Sequence, residues 1–332
     1  MSKFNVAVVG ATGAVGREMV KILGERKFLV KDLVLLASVK STGETIFFKK
    51  KKLEVQELNN NSFKNIDIAL FSAGSLVSKK FVPIAVKNGT IVIDNSSAFR
   101  MDSDVPLVVP EVNPGDIKKH NGIIANPNCS TIQMVAALKP ILDEAGISRI
   151  IVSTYQSVSG TGKDAIDELK EQSFQILNNK KPTREIYPHQ IAFNILPHID
   201  VFENNGYTKE EMKLIHETKK IFDNNKIKIT ATAARVPVFY GHSESVYLET
   251  EDHISIKKLK NIYLKTKGIK LVDDIDNSKY PLAIMSEIFD DVMIGRLRKD
   301  LTEPNGINMW IVANNLRKGA ALNAVQIAEL LI

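Results

Sequence analysis

A single cysteine, Cys129, stands in the run Asn126-Pro127-Asn128-Cys129-Ser130-Thr131, where a turn leads into residues with apolar groups at helical spacing. A thiol at a helix N-terminus faces unpaired backbone N–H groups and the positive end of the helix dipole, which favour the thiolate. That environment suits a nucleophile. Taken alone, a single cysteine is better read as a small core hydrophobe, so its company has to decide. Arg235 ends a strand-like stretch, and His242 follows a loop punctuated by Pro237 and Gly241. An arginine fork fits a carboxylate and an imidazole moves protons near neutral pH, although a structural hydrogen-bonding role stands beside that reading of His242. Gln156 opens a glycine-rich turn and offers both donors and an acceptor to a polar substrate; a plain connecting turn reads as well. Glu217 and Lys220 sit at i, i+3 on one helix, the usual spacing of a solvated ion pair. Arg100 follows a strand of the first domain, where ligand-facing loops emerge.

A second constellation lies at the N-terminus. The stretch 4–9 runs into Gly10-Ala11-Thr12-Gly13-Ala14-Val15-Gly16 and then a helix, a G-x-x-G-x-x-G variant of the dinucleotide fingerprint. The glycines permit a tight turn and close backbone approach, and the helix N-terminus receives a pyrophosphate. An NAD enzyme usually places a carboxylate after the second strand to hold the ribose hydroxyls. Here that strand ends in Ser38-Val39-Lys40-Ser41-Thr42-Gly43, with no carboxylate before Glu44. Lys40 and Ser41 suit a 2′-phosphate, so the expected cofactor is NADP(H); taken alone, Lys40 is as well read as an exposed lysine in a polar turn.

The elements that must position these groups follow from the apolar pattern. Stretches 4–9, 33–37, 66–71, 90–93 and 122–125 read as strands, alternating with helices over 15–23, 76–87 and 131–145, the last stopped or kinked at Pro140. Strands apolar throughout, alternating with helices, predict a parallel sheet covered on both faces. After Cys129 the strands 149–156, 226–236, 243–249, 292–297 and 308–313 often alternate, which predicts an antiparallel or mixed sheet. Helices 163–177, 209–222 and 256–265 are expected on one face of it, with 178–199 irregular. A final helix, 319–331, has an apolar side suited to docking on the first domain. The expected fold is therefore α/β: a Rossmann-type doubly wound domain (1–128 with 313–332) plus an α+β catalytic and dimerisation domain (129–312).

Composition bounds the rest. The chain of 332 residues is 44% hydrophobic and 25% charged, ordinary for a globular protein of two domains. One cysteine allows no intrachain disulfide and no thiolate metal cluster, so no metal is expected, and a reducing, cytoplasmic location is. No signal peptide or membrane-spanning run is read near the start or elsewhere. The net charge of +6 invites nucleic acid, but apart from Lys49-Lys50-Lys51-Lys52 the cations are scattered, and those four read as a solvated hairpin or loop. No nucleic-acid or membrane partner is expected.

Taken together, these ordered segments, down to Asn314-Asn315-Leu316-Arg317-Lys318-Gly319-Ala320-Ala321-Leu322-Asn323, closely resemble the aspartate-semialdehyde dehydrogenases. The resemblance implies reversible conversion of aspartyl phosphate and NADPH into aspartate semialdehyde, NADP and phosphate, on the route to lysine, threonine and methionine. It implies Cys129 as nucleophile and His242 as general acid/base. Arg235 would clamp the substrate carboxylate, Glu217 its amino group, and Gln156 would orient the acyl portion. Arg100, Lys220 and Asn128 would hold the phosphate. Ser159, Gly160 and Asn315 would place the nicotinamide end, and the loop 10–16, with Thr12, Gly13, Ala14 and Val15, the pyrophosphate. The family often has arginine where this chain has Lys40, which keeps the charge but loses the two-pronged contact. A homodimer or homotetramer is also implied. The sister readings are the reductase of N-acetylglutamyl phosphate and a glyceraldehyde-phosphate enzyme; a non-catalytic NADPH-binding sensor is the reading from another class.

Overall fold

Strand β1 (Phe4–Val9) is apolar on both faces because both are covered: Val6 and Val8 join one buried cluster, Ala7 and Val9 another. In the computed structural model, which describes residues 3–332, this strand lies in the first of two units. That unit comprises the residues up to Asn128 with Ala320–Ile332; the second is Cys129–Gly319.

In the first unit, β2 (Val30–Ala37), β3 (Thr45–Phe48), β4 (Lys51–Glu57), β5 (Ile68–Phe71), β6 (Ile91–Asp94) and β7 (Ile123–Ala125) complete one sheet. Its order is β3-β4-β2-β1-β5-β6-β7, and every neighbouring pair is parallel except β3 with β4. Helix α1 (Ala14–Glu25) gives Met19, Val20 and Leu23 to the Val6/Val8 cluster, and α2 (Ser75–Lys87) gives Phe81, Val82 and Ala85 to the other. A parallel sheet with a helix on each face is the Rossmann-type layering expected from the sequence. The C-terminal helix, Leu322–Glu329, adds Leu322, Val325 and Ala328 to the α1 side; it begins later than the sequence predicts because Arg317–Ala321 winds as a π-type turn. The four lysines 49–52 form the tip of hairpin β3–β4, where Lys49 takes a left-handed φ of 54°. That tip packs at Gly24, the far end of α1 from the glycine loop.

The second unit holds α3 (Cys129–Ala145), β8 (Arg149–Gln156), α4 (Lys163–Leu177), α5 (Lys209–Ile221), β9 (Lys228–Arg235) and β10 (His242–Glu249). There follow α6 (Ile256–Tyr263), β11 (Ile269–Leu271), β12 (Val292–Lys299) and β13 (Gly306–Ala313). The sheet order is β11-β12-β13-β10-β8-β9; β8/β9 and β11/β12 are parallel and the others antiparallel, so the sheet is mixed. Helices α3, α5 and α6 pack on this sheet.

Two expectations need correction. Of the two effects expected of Pro140, a stop or a kink, the stop does not occur: α3 runs on to Ala145, the end the sequence predicts. A proline removes one backbone bond, and here the apolar face on both sides of it, from Ala136 to Ile141, stays buried. Helix α4 packs on the turn that follows β8 rather than on the sheet with α3, α5 and α6, through Ala165 and Leu169 against Val158, Ile191 and Leu196.

The irregular segment after α4 is tied down by polar groups. Glu168 accepts hydrogen bonds from the backbone N–H of Glu185 (2.7 Å), Ile186 (2.6 Å) and Tyr187 (3.4 Å). Gln172 Oε1 accepts from Ile191 (3.0 Å) and Ala192 (3.1 Å). Charge-assisted bonds to a mostly buried carboxylate are strong, and their loss strands backbone donors. Glu168→Ala is therefore expected to cost about 2–3 kcal/mol of stability and to speed amide hydrogen exchange at residues 185–187. Unchanged exchange there would contradict this account of the segment.

Candidate active site

In the first unit the glycine loop divides its labour. A Cβ on Gly10 would lie 2.3 Å from Ser72 O, and one on Gly16 would lie 2.1 Å from Gly10 O, so packing alone demands these two glycines. Gly13 is exposed and a Cβ there would meet only Gly10 O at 3.4 Å, ordinary contact, which leaves its backbone open to a ligand. No side chain caps α1 at Gly13, so the first N–H groups of the helix, from Ala14 and Val15 onward, suit an anionic group. Beside the loop is a cavity of about 360 Å³ lined by Thr12, Gly13, Ser38, Val39 and Glu57 among others. Thr12 Oγ1 lies 3.3 Å from Ser41 Oγ, and Lys40 is exposed on the short turn Val39–Ser41. Glu44 is drawn off to Arg17 at 3.0 Å. Sequence reasoning missed Glu57: it belongs to β4, whose parallel pairing with β2 sets it beside Ala37. The extended alternation in 51–57 was the available signal.

Arg100, also of this unit, is buried and aimed by two backbone carbonyls: Nε donates to Asn126 O at 2.9 Å and Nη2 to Asn95 O at 2.6 Å. Asn128, buried too, ends the unit.

In the second unit Cys129 is the first residue of α3 and half-buried. A Cβ on Gly319 would lie 2.9 Å from Cys129 Cβ, so only glycine fits there. His242 opens β10 and is fully buried. Its Nδ1 accepts from the Ser157 backbone N–H at 3.1 Å. A backbone N–H can only donate, so the neutral ring carries its proton on Nε2. That Nε2 has no hydrogen-bond partner among the described residues. Arg235, at the end of β9, is buried, donates from Nη1 to Ser157 O at 2.7 Å, and has a buried Nε likewise without a partner. Both groups converge on Gly160, where a Cβ would lie 2.9 Å from Arg235 Nη1 and 3.3 Å from His242 Nε2. Burial and then the Arg235 charge hold the imidazole well below its usual pKa.

Asn315 organises this turn. Its Oδ1 accepts from Ser157 Oγ (3.1 Å), Ser159 Oγ (3.2 Å) and Gly241 N–H (3.0 Å), while its Nδ2 donates to Ser159 Oγ (3.0 Å). Gln156 is buried, with Nε2 donating to Glu210 Oε1 at 3.2 Å and to Thr154 Oγ1 at 3.3 Å. Glu210 in turn binds Lys213 at 3.1 Å, and Lys213 binds Asp200 at 2.9 Å. Sequence reasoning missed Glu210; a capping box at Thr208 and Glu211, which fixes the start of α5, was the clue. Glu217 is 1% exposed, so its spacing from half-buried Lys220 is not that of a solvated surface pair.

Residues 5–120 match the family model for the semialdehyde dehydrogenase NAD binding domain, and residues 138–318 match the semialdehyde dehydrogenase dimerisation domain. The aspartate-semialdehyde dehydrogenase of Aquifex aeolicus is 57% identical over 99% of this chain and 98% of its own. That of Bacillus subtilis is 52% identical, covering 98% and 96%. The chain belongs to the aspartate-semialdehyde dehydrogenase family. The crystal structure of aspartate semialdehyde dehydrogenase II from Vibrio cholerae superposes with a TM-score of 0.96 at 50% identity, over 99% and 98% of the two chains. A Candida albicans relative solved with NADP reaches 0.77 at 25% identity, over 99% and 98%. Members of this family are oxidoreductases of amino-acid biosynthesis, and among the described residues no helix is long and apolar enough to cross a membrane.

Two outcomes are expected from this geometry. Gly160→Ala should lower kcat/KM by about tenfold or more, because the methyl displaces Arg235 or His242, while the melting temperature hardly changes at this exposed turn. Arg235→Gln should raise the pKa of His242, followed by NMR of the ring, though not to its usual value, because burial remains. A pKa that stays put or falls would contradict the assigned electrostatics.

Proposed function

We propose that this chain catalyses the NADPH-dependent reductive dephosphorylation of L-aspartyl 4-phosphate to L-aspartate 4-semialdehyde, through a thioester on Cys129. The observation that carries the reading is the convergence of the buried Arg235 Nη1 and His242 Nε2 beside Gly160, in the unit that begins with Cys129, with His242 Nε2 and Arg235 Nε both lacking a hydrogen-bond partner among the described residues. The helix N-terminus favours the Cys129 thiolate, which attacks the acyl phosphate and leaves a thioester as phosphate departs. When bound, the dinucleotide supplies the hydride. His242 Nε2–H donates to the substrate oxygen as negative charge grows there, and takes part in the proton exchange that accompanies collapse to aldehyde and thiol. A substrate carboxylate on Arg235 offsets the charge that depresses the imidazole, so binding makes the protonated ring more accessible. The family resemblance assigns the amino group to Glu217, the acyl portion to Gln156 and the phosphate to Arg100, Asn128 and Lys220.

NADP(H) is supported by the open backbone at Gly13, the uncapped α1, and the Lys40 and Ser41 side chains beyond β2. A homodimer formed through the second unit is supported by the match to the dimerisation-domain model.

Oxidation of aspartate semialdehyde should require phosphate and run faster with NADP than with NAD. Cys129→Ala should reduce turnover by about a thousandfold or more and leave cofactor binding nearly intact. Steady-state activity persisting in that variant, or oxidation of a different aldehyde only, would reject the assignment.

A further inference from the structure

Strand β10 carries a second titratable group that the chemistry above does not use. Glu244, two residues after His242 and on the same face of the sheet, is fully buried. Its register partners are Thr154 on β8 and Ile311 on β13, neither of them charged. Helix α3 brings Gln133, one turn beyond Cys129, against it, also fully buried. Gln133 Nε2 points to the backbone carbonyl of His242 at 3.5 Å, and a carbonyl requires a donor, which fixes the orientation of the carboxamide. Three buried oxygens are then left without a partner among the described residues: both of Glu244 and Oε1 of Gln133.

An ionised carboxylate buried without a cation costs far more than folding can spare, and three acceptors cannot satisfy one another. One proton supplies the missing donor. We infer that Glu244 is a neutral carboxylic acid which donates to Gln133, and that this pair sets helix α3, beginning at Cys129, against strand β10, beginning at His242. Glu244 is thus a positioning residue for the reaction assigned above, and the inference rests on that reading. Burial is the larger influence and pushes the Glu244 carboxyl well above the usual carboxylate range, against a smaller lowering by Gln133. Thr154, opposite Glu244, accepts from Gln156 Nε2 at 3.3 Å.

The test uses Glu244→Ala and Glu244→Gln in the full-length protein. The alanine variant leaves Gln133 unanchored and should lower kcat by about tenfold or more while KM for aspartate semialdehyde changes by less than about threefold. The glutamine variant, uncharged and able to donate, should restore kcat to within about threefold of the unsubstituted protein. Infrared difference spectra at pH 8 between the unsubstituted protein and Glu244→Gln should show one lost protonated-carboxyl C=O band. Equal loss of kcat in both variants, or loss of ionised-carboxylate bands instead, would overturn the inference. If the alanine variant fails to fold, the glutamine and infrared arms still decide. The infrared arm needs no turnover, so its result is separable from failure of the thioester reading, which active Cys129→Ala would reveal.

Discussion

The hydrogen bond from the Ser157 backbone N–H to His242 Nδ1 determines what the second unit can do. It joins the turn after β8 to the first residue of β10. Because the donor is a main-chain group, it leaves the ring no choice of tautomer, and Nε2–H is turned toward Gly160. The same residue fixes Arg235, whose Nη1 donates to the Ser157 carbonyl at 2.7 Å. One peptide segment thereby orients both the His242 imidazole and the Arg235 guanidinium.

Around this contact the unit is built for fixed geometry. Asn315 gathers Ser157, Ser159 and the N–H of Gly241 on one carboxamide oxygen, so the turn and the residue before His242 move together. Gly241 adopts φ +86°, and a Cβ there would lie 2.4 Å from Ser286 Oγ, so the loop reaches β10 only through glycine. Preorganised groups of this kind need little rearrangement when charge develops, which is where such sites gain most of their effect. The neutral, buried state of His242 follows from the same enclosure.

The residues that the second unit brings together, and the glycine loop of the first, carry local signals in the sequence. A glycine triplet after an apolar strand, a cysteine opening a helical pattern, and an arginine and histidine flanking a Pro/Gly loop each declare themselves within a few positions. The doubly wound layering followed from strands apolar on both faces, as β1 shows with Val6 and Val8 on one side and Ala7 and Val9 on the other. What stayed hidden depends on contacts distant in sequence. Glu57 enters the cavity beside the glycine loop only because β4 pairs with β2, and Glu210 meets Gln156 across a separation of 54 residues. Glu168 and Glu244 look like surface acids in any local window, yet one binds three backbone N–H groups and the other is sealed beneath α3. At Pro140 the expectation of a stop, a local rule, gave way to tertiary packing.

The orientation of His242 is the claim on which the rest stands, and nitrogen NMR of the labelled ring in the ligand-free protein at pH 7 tests it directly. The account predicts a neutral imidazole with an unprotonated, hydrogen-bonded Nδ1 and a proton on Nε2. A ring protonated on Nδ1, or on both nitrogens, would contradict it.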